Sequence, residues 1–412
     1  MCWMIVFSVL LLLSPEPLSA AQAAVTLDGV HAELACADCH GASVAATPRP
    51  AAADNRAAGC TGCHAGYDGI FDQAMTRRTA EKTFAAESFG EYDPQFFATN
   101  CNSCHVSDCL DCHGGNGHRI TAARQEDCLA CHKDYYVGWD YLGRAPREDH
   151  PRYQRGPSFQ GEHALKMRPD IHAEKGLECM DCHDMQSLIA GETSARSCRD
   201  CHEPDPQVIE HGIAAHLEKM ECYSCHSAWA AQEYGTFFLR IGADNPEAVE
   251  RFRAAEAPSG DYLVRTYLRQ QDTPPLGINS SGRVSPIRPQ FIAYYSDLRQ
   301  DGPPPVENRL VATQWKAFFP HTVRRGTPMC DACHDNPRRF LHEPEEDRIY
   351  RTDLDGLGLS SFWNQQGQTV VNGGFVGPQR YAEMMRRDAA YTKAYVEKWK
   401  SLIEHVGDSS KD

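Results

Sequence analysis

One five-residue pattern, Cys-x-x-Cys-His, recurs nine times in 412 residues and constrains this chain more than any other feature. The first three copies are Cys36, Cys39 and His40; Cys60, Cys63 and His64; and Cys101, Cys104 and His105. The next three are Cys109, Cys112 and His113; Cys128, Cys131 and His132; and Cys179, Cys182 and His183. The last three are Cys198, Cys201 and His202; Cys222, Cys225 and His226; and Cys330, Cys333 and His334. Together they use eighteen of the nineteen cysteines, and the remaining one is Cys2. Two thiols three positions apart fall on one side of a helical turn, with a histidine directly behind them. This is the arrangement in which thiols form thioethers to the vinyl groups of haem c and the imidazole binds its iron.

Other uses of paired cysteines fit less well. A zinc ribbon, a redox dithiol or a disulfide framework needs no histidine after every second cysteine. At this chain's own histidine frequency, nine such coincidences have odds on the order of one in a trillion. A zinc array would also space its motifs regularly, and these are irregular. The cofactor expected is therefore nine covalently attached haems c, with the nine motif histidines as proximal iron ligands.

The N-terminus carries an address. Ile5 to Leu13 is a short apolar run, followed by Ser14-Pro15 and small residues from Ser19 to Ala24, with Ala21-Gln22-Ala23 as a cleavage site. Residues 1–24 thus read as a secretory signal peptide, too short for a membrane span of about 20 residues. No Lys or Arg precedes the run, so either the signal is atypical or translation starts upstream of Met1. The mature chain is expected to be periplasmic or exported, without a transmembrane anchor. Its net charge of −15 argues against a nucleic-acid partner.

Spacing divides the rest. Residues 25–235 form an octahaem region, 236–320 an Arg/Pro-rich segment without a motif, and 321–412 the ninth motif and a C-terminal helix. Under thirty residues per haem are too few to bury a protein-only core. The expected fold is that of a multihaem cytochrome, with short α-helices and loops wrapped around a haem stack and little β-structure. One amphipathic helix is expected from Arg380 to Val406, where Tyr381, Met384, Tyr391, Tyr395, Trp399, Leu402 and Ile403 recur at helical spacing. His105 and His113, only eight residues apart, imply an immediately stacked pair of haems. Aspartate precedes the second cysteine in four motifs (Asp38, Asp111, Asp181, Asp200), a hint of a repeated unit.

The sixth iron position decides what the protein can do. Ten histidines lie outside the motifs. His31, His118, His150, His163, His172, His211, His216, His321 and His342 are candidate distal ligands, and His405, in the C-terminal helical pattern, is the one set aside. His321 is assigned to the last haem or a neighbour of it. Nine pairs would make a pure electron wire, whereas a reductase needs one iron with an open or weakly held position. If one of the nine is structural, a haem could take Met, Lys or no ligand: Met167, Met185, Met220 and Met329 lie near motifs, where methionines are more often packing, and Lys133 directly follows a proximal histidine.

From Thr236 to Arg325 there are eleven Arg and one Lys against nine Asp and Glu, a local cationic excess. Arginine suits bidentate pairing with carboxylates or oxyanions. Arg283, Arg288, Arg324 and Arg325 are therefore either an anion-substrate cradle or the partners of haem propionates.

The nine motifs place the chain, over residues 31–334, among the multihaem c-type cytochromes. Asp170-Ile-His172-Ala-Glu-Lys-Gly176-Leu-Glu-Cys179-Met-Asp181-Cys182-His183 resembles segments of octahaem tetrathionate reductase-like cytochromes, though there are nine motifs here rather than eight. No Cys-x-x-Cys-Lys matches the pentahaem nitrite reductases. Phe237-Phe-Leu-Arg240 and Trp315-Lys-Ala-Phe-Phe-Pro-His321-Thr-Val-Arg-Arg resemble cytochromes of selenite/tellurite reduction operons. These resemblances imply electron transfer in anaerobic respiration, exchanging electrons with quinol-oxidising or outer-membrane cytochromes. The alternatives are a terminal reductase for an oxyanion of the selenite, tellurite, tetrathionate or sulfite type, and a subunit of a cytochrome filament or conduit.

Overall fold

A computed structural model of the chain describes residues 29–35, 38, 60–100, 106–114, 120–132, 140–142, 153–159, 162–167, 170–231, 235–241, 270–271, 274–297, 299, 304, 306–326, 328–344 and 373–409. The signal segment lies outside the described residues. So do the motif residues Cys36, Cys39 and His40, the motif residues Cys101, Cys104 and His105, and the candidate ligands His118 and His150. His163 and His405 are described only as backbone within a strand and a helix.

The motifs form single helical turns, as their spacing dictates. The histidine N–H bonds back to the carbonyl of the first cysteine in the motifs of Cys60 (2.8 Å), Cys109 (3.0 Å), Cys128 (2.9 Å), Cys179 (2.9 Å), Cys198 (2.9 Å) and Cys330 (2.8 Å). In the first of these turns Cys63 is exposed and Cys60 half-buried. The recurring aspartates now have a physical role. Asp38, Asp111, Asp181 and Asp200 each accept the backbone N–H of the residue just before the first cysteine, at 2.8, 3.1, 2.7 and 2.6 Å. Each carboxylate thereby satisfies an orphan donor at the start of its turn.

The expectation of little β-structure is not met: Asp140–Leu142, Tyr153–Phe159 and Glu162–Met167 form a three-stranded antiparallel sheet inside the octahaem region, and a larger sheet centres on the segment without motifs. There β1 (Gly235–Ile241), β2 (Leu276–Asn279), β3 (Val284–Asp297), β4 (Val306–Ala317) and β5 (Gly373–Gly374) form one sheet. β3 runs through its centre, antiparallel to β4 on one edge. On the other edge it pairs antiparallel with β2 and then parallel with β1. β3 is buried along nearly its whole length, so its residues do not alternate in polarity as a half-exposed strand would. Pro289 sits where the β3–β4 register shifts, a place where a missing N–H is tolerated.

Helix α1 (Thr79–Phe89) lies on this sheet. Phe84, Phe89 and Phe96 pack with Phe291, Ala293, Tyr295, Val311 and Ala312 into a buried cluster. A second cluster, of Leu276, Val284, Phe340 and Val376, adjoins Cys333 of the last motif and Met220, which lies just before the Cys222 motif. The sheet is bonded directly to the motif region. Ser224 Oγ and Glu221 N both donate to the Val284 carbonyl, and buried Arg339 donates to the Ser224 carbonyl at 2.7 Å. The C-terminal helix is two helices, Pro378–Met384 and α2 (Ala389–Ser409). Tyr391 and Tyr395 of α2 reach His334 and Asp331, while Val396, Trp399, Leu402 and Ile403 are exposed. Among the described residues, no helix is long and apolar enough to cross a membrane.

Candidate haem-iron sites

Two imidazoles bound to opposite sides of one iron have ring centres about 6 Å apart, from two metal–nitrogen bonds of about 2.0 Å and two ring radii of about 1.1 Å. Five motif histidines meet a histidine outside the motifs at this separation. The pairs are His64 with His31 at 6.2 Å, His202 with His172 at 5.7 Å, His183 with His321 at 6.2 Å, His226 with His211 at 6.0 Å, and His334 with His216 at 6.1 Å. In the His172–His202 pair the two Nε2 atoms face each other at 3.5 Å.

Hydrogen bonds fix which nitrogen points at the partner. Nδ1 of His226 donates to the Arg324 carbonyl (3.2 Å), that of His334 to Met384 (2.7 Å), and that of His211 to Asp205 (3.2 Å). Nδ1 of His172 donates to the Asp170 carboxylate (2.8 Å), and that of His113 to the Thr121 carbonyl (3.1 Å). A ring whose Nδ1–H is held by an oxygen keeps a bare lone pair on Nε2, the state that ligates a metal. Burial favours the same neutral form. It pushes the His321 imidazole down to about 3, and lowers those of His132, His183, His216 and His226 below the ordinary histidine value.

His342 is placed differently. Its Nε2 is spent on the Val376 carbonyl at 2.7 Å, and its ring stacks on Tyr381 at 4.3 Å. Among the described residues no motif histidine makes a ring contact with it, so as a candidate distal ligand it is replaced by a hydrogen-bonded packing role. His113 has no histidine ring against it among the described residues. His321 faces His183 rather than His334. The four arginines suggested as one cradle are dispersed. Arg283 holds the Leu217 carbonyl at 3.1 Å and pairs with Glu221, Arg324 pairs with Glu174 at 2.5 Å, and Arg288 is buried over the Phe318 ring.

The described motifs follow one another in space as they do in sequence. Cys60 lies beside Cys109, and Cys112 beside Cys128 and Cys131. Cys128 lies beside Cys179, Cys182 near Cys201, Cys198 beside Cys222, and Cys225 near Cys333. Burial pushes the Cys109 and Cys112 thiols up to about 11 and that of Cys225 up to about 12. Among the described residues, no three His, Cys, Asp or Glu side chains converge as they would around a bare ion. Haem iron asks less of the protein, because the porphyrin supplies its other four ligands. Paired imidazoles beside paired thiols therefore suit haem c, and the residues present fit that group.

The sequence alone did not reveal the supporting groups. Asp170, 4% exposed, accepts from the His172 backbone N–H as well as its ring and also from Val323 N. Its position two residues before a histidine was the one visible signal. No family model, curated protein or solved structure matches the chain.

Proposed function

We propose that the protein is an exported nonahaem c-type cytochrome that carries electrons between redox partners in anaerobic respiration. The five histidine pairs carry this reading, strung along motifs that adjoin in sequence order. When bound, each haem supplies a one-electron ferric/ferrous couple. The chain's own contribution is orientation. Carbonyls of Arg324, Met384 and Asp205 and the carboxylate of Asp170 aim the Nε2 atoms, and burial favours the neutral form of His183, His216, His226 and His321. Two protein ligands per iron leave no coordination position for a substrate, which favours a wire over a reductase.

The count keeps the reductase reading alive at one point. With His342 held by Val376, four motif histidines (His40, His105, His113 and His132) remain for His118, His150, His163 and His405. An iron facing His113 is open only if none of those four histidines reaches it. The test is to reduce the purified holoprotein and mix it with candidate oxidants. The proposal expects fast reoxidation by an outer-membrane-type cytochrome and none by selenite, tellurite, sulfite or tetrathionate. Catalytic turnover of any of these oxyanions would replace the carrier with a terminal reductase.

A further inference from the structure

One turn of the sheet is tied to the chain segments that carry both rings of a single iron site. Residues 280–283 join β2 to β3, and Asn279 organises them: its Oδ1 accepts the Ser281 and Arg283 N–H groups, both at 3.0 Å. Gly282 takes a φ of 77°, in the left-handed region that favours glycine, and its N–H returns to the Asn279 carbonyl at 3.0 Å. The turn brings Arg283 to the helix Ala214–Lys219, which carries His216. Six residues are too few to hold a helix alone, and its last carbonyls have no partner within it. Arg283 Nη2 donates to the Leu217 carbonyl at 3.1 Å and also to the Met220 carbonyl. One guanidinium thus grips the chain directly after His216.

The same turn reaches the segment behind the opposite ring. His334 is oriented by its Nδ1 bond to the Met384 carbonyl, at the end of the helix Pro378–Met384. Arg380 of that helix donates from Nη2 to the Gly282 carbonyl at 3.4 Å. Packing repeats the link. Met220, four residues past His216, and Cys333, next to His334, both lie against the cluster of Leu276, Val284, Phe340 and Val376, to which β2 and β3 contribute the first two. Glu221 supplies the counter-charge: its Oε1 lies 3.3 Å from Arg283 Nε and accepts from Asn279 Nδ2 at 2.8 Å. With its charge answered there, what Arg283 adds is geometry.

We propose that the β2–β3 turn clamps the His216–His334 pair and that Arg283 is the positioning residue for His216, an assignment that rests on the cytochrome reading. The two rings are 6.1 Å apart and inclined by only 28°. A ligating imidazole needs its orientation fixed by groups behind it. His172, His211, His226 and His334 have that support at Nδ1, from a carboxylate or a carbonyl. His216 does not: the Glu210 carbonyl lies near its buried Nδ1 but outside hydrogen-bond geometry. Where His216 points is therefore set by the backbone of its helix, and Arg283 is what holds that backbone to the sheet.

The test uses the full-length holoprotein and Arg283→Met, Arg283→Lys, Glu221→Gln and His216→Ala variants, with haem counted in each. Cyanide, titrated into the ferric protein and followed by electron paramagnetic resonance, reports how easily an axial histidine is displaced. Arg283→Met should let cyanide bind one haem about tenfold more tightly than in the parent, about 1.4 kcal/mol, the scale of one lost hydrogen bond. Arg283→Lys, which lacks the fork, should give a smaller change at the same haem, and it carries the test if the Met variant does not assemble. Glu221→Gln removes the counter-charge but not the donors to Leu217 and Met220, so cyanide should bind as in the parent. Unchanged cyanide binding in the Arg283 variants overturns the proposal even if the melting temperature falls, because Arg283 then only supports the fold. A change spread over many haems, or one as large in Glu221→Gln, overturns it too. His216→Ala should make one ferric haem high-spin without cyanide. If it does while the Arg283 variants do nothing, the clamp alone is removed. If every haem stays low-spin in His216→Ala, or the chain holds no haem, the ligand pairing or the cytochrome reading itself fails.

Discussion

Which ring nitrogen carries the proton separates histidines that can bind iron from those that cannot. His172 donates Nδ1–H to Asp170 and turns Nε2 toward His202, whereas His342 uses Nε2 on a carbonyl. His172→Ala should keep nine haems and convert one low-spin ferric haem to high-spin, read by electron paramagnetic resonance. His342→Phe should leave the spin states unchanged and cost about 1 kcal/mol for the lost hydrogen bond. Asp170→Asn weakens the imidazole as a donor, so one midpoint potential should rise in a spectroelectrochemical titration. Stability should fall by about 1–3 kcal/mol through the weakened bonds to His172 and Val323. The sequence exposed the supply of histidines at this scale but not their partners. His172 lies seven residues before Cys179, yet it meets His202 of the following motif, and His216 likewise passes over the Cys222 motif to meet His334. A pairing of this kind depends on tertiary geometry that no local pattern records.

Single helical turns hold the Cys-x-x-Cys-His motifs, and here the sequence was most legible. A spacing of three between cysteines and four to the histidine is one turn, closed by the bond from histidine N–H to cysteine carbonyl. The aspartate before the second cysteine was visible as a repeat, and its reason is the cap it makes. The Ser197 N–H holds the Asp200 carboxyl below the usual carboxylate range. Because the folded value is depressed, the cap contributes above the unfolded carboxylate value and is lost as pH falls through the folded one. Protection of the Ser197 amide should therefore be lower in Asp200→Ala than in the parent at neutral pH, and equal in strong acid. The sheet was the least legible element. β3 contains two prolines and is buried on both sides, so it shows neither alternation nor an unbroken β-branched run. Its helix cover α1 depends on Phe84, which is fully buried against Phe237 and Phe291. Phe84→Ala should cost about 3–5 kcal/mol in chemical denaturation without changing the haem count.

Seen whole, the molecule is a series of short turns too small to fold alone, held against a sheet that supplies the protein-only core. Motifs far apart in sequence share that support. The segment around Val323 bonds to Asp170 beside His172, and neighbouring Arg324 bonds to His226. The motif turns were legible because they are written in five-residue units, whereas the cross-strand Arg288–Lys316 pair depends on strand register and was invisible. The central claim is that the five histidine pairs are axial ligands of five irons. Spin quantitation of the oxidised holoprotein by electron paramagnetic resonance tests it most directly. The account predicts low-spin ferric haem at no fewer than five irons per chain. Fewer than five, or a spectrum dominated by high-spin iron, would contradict it.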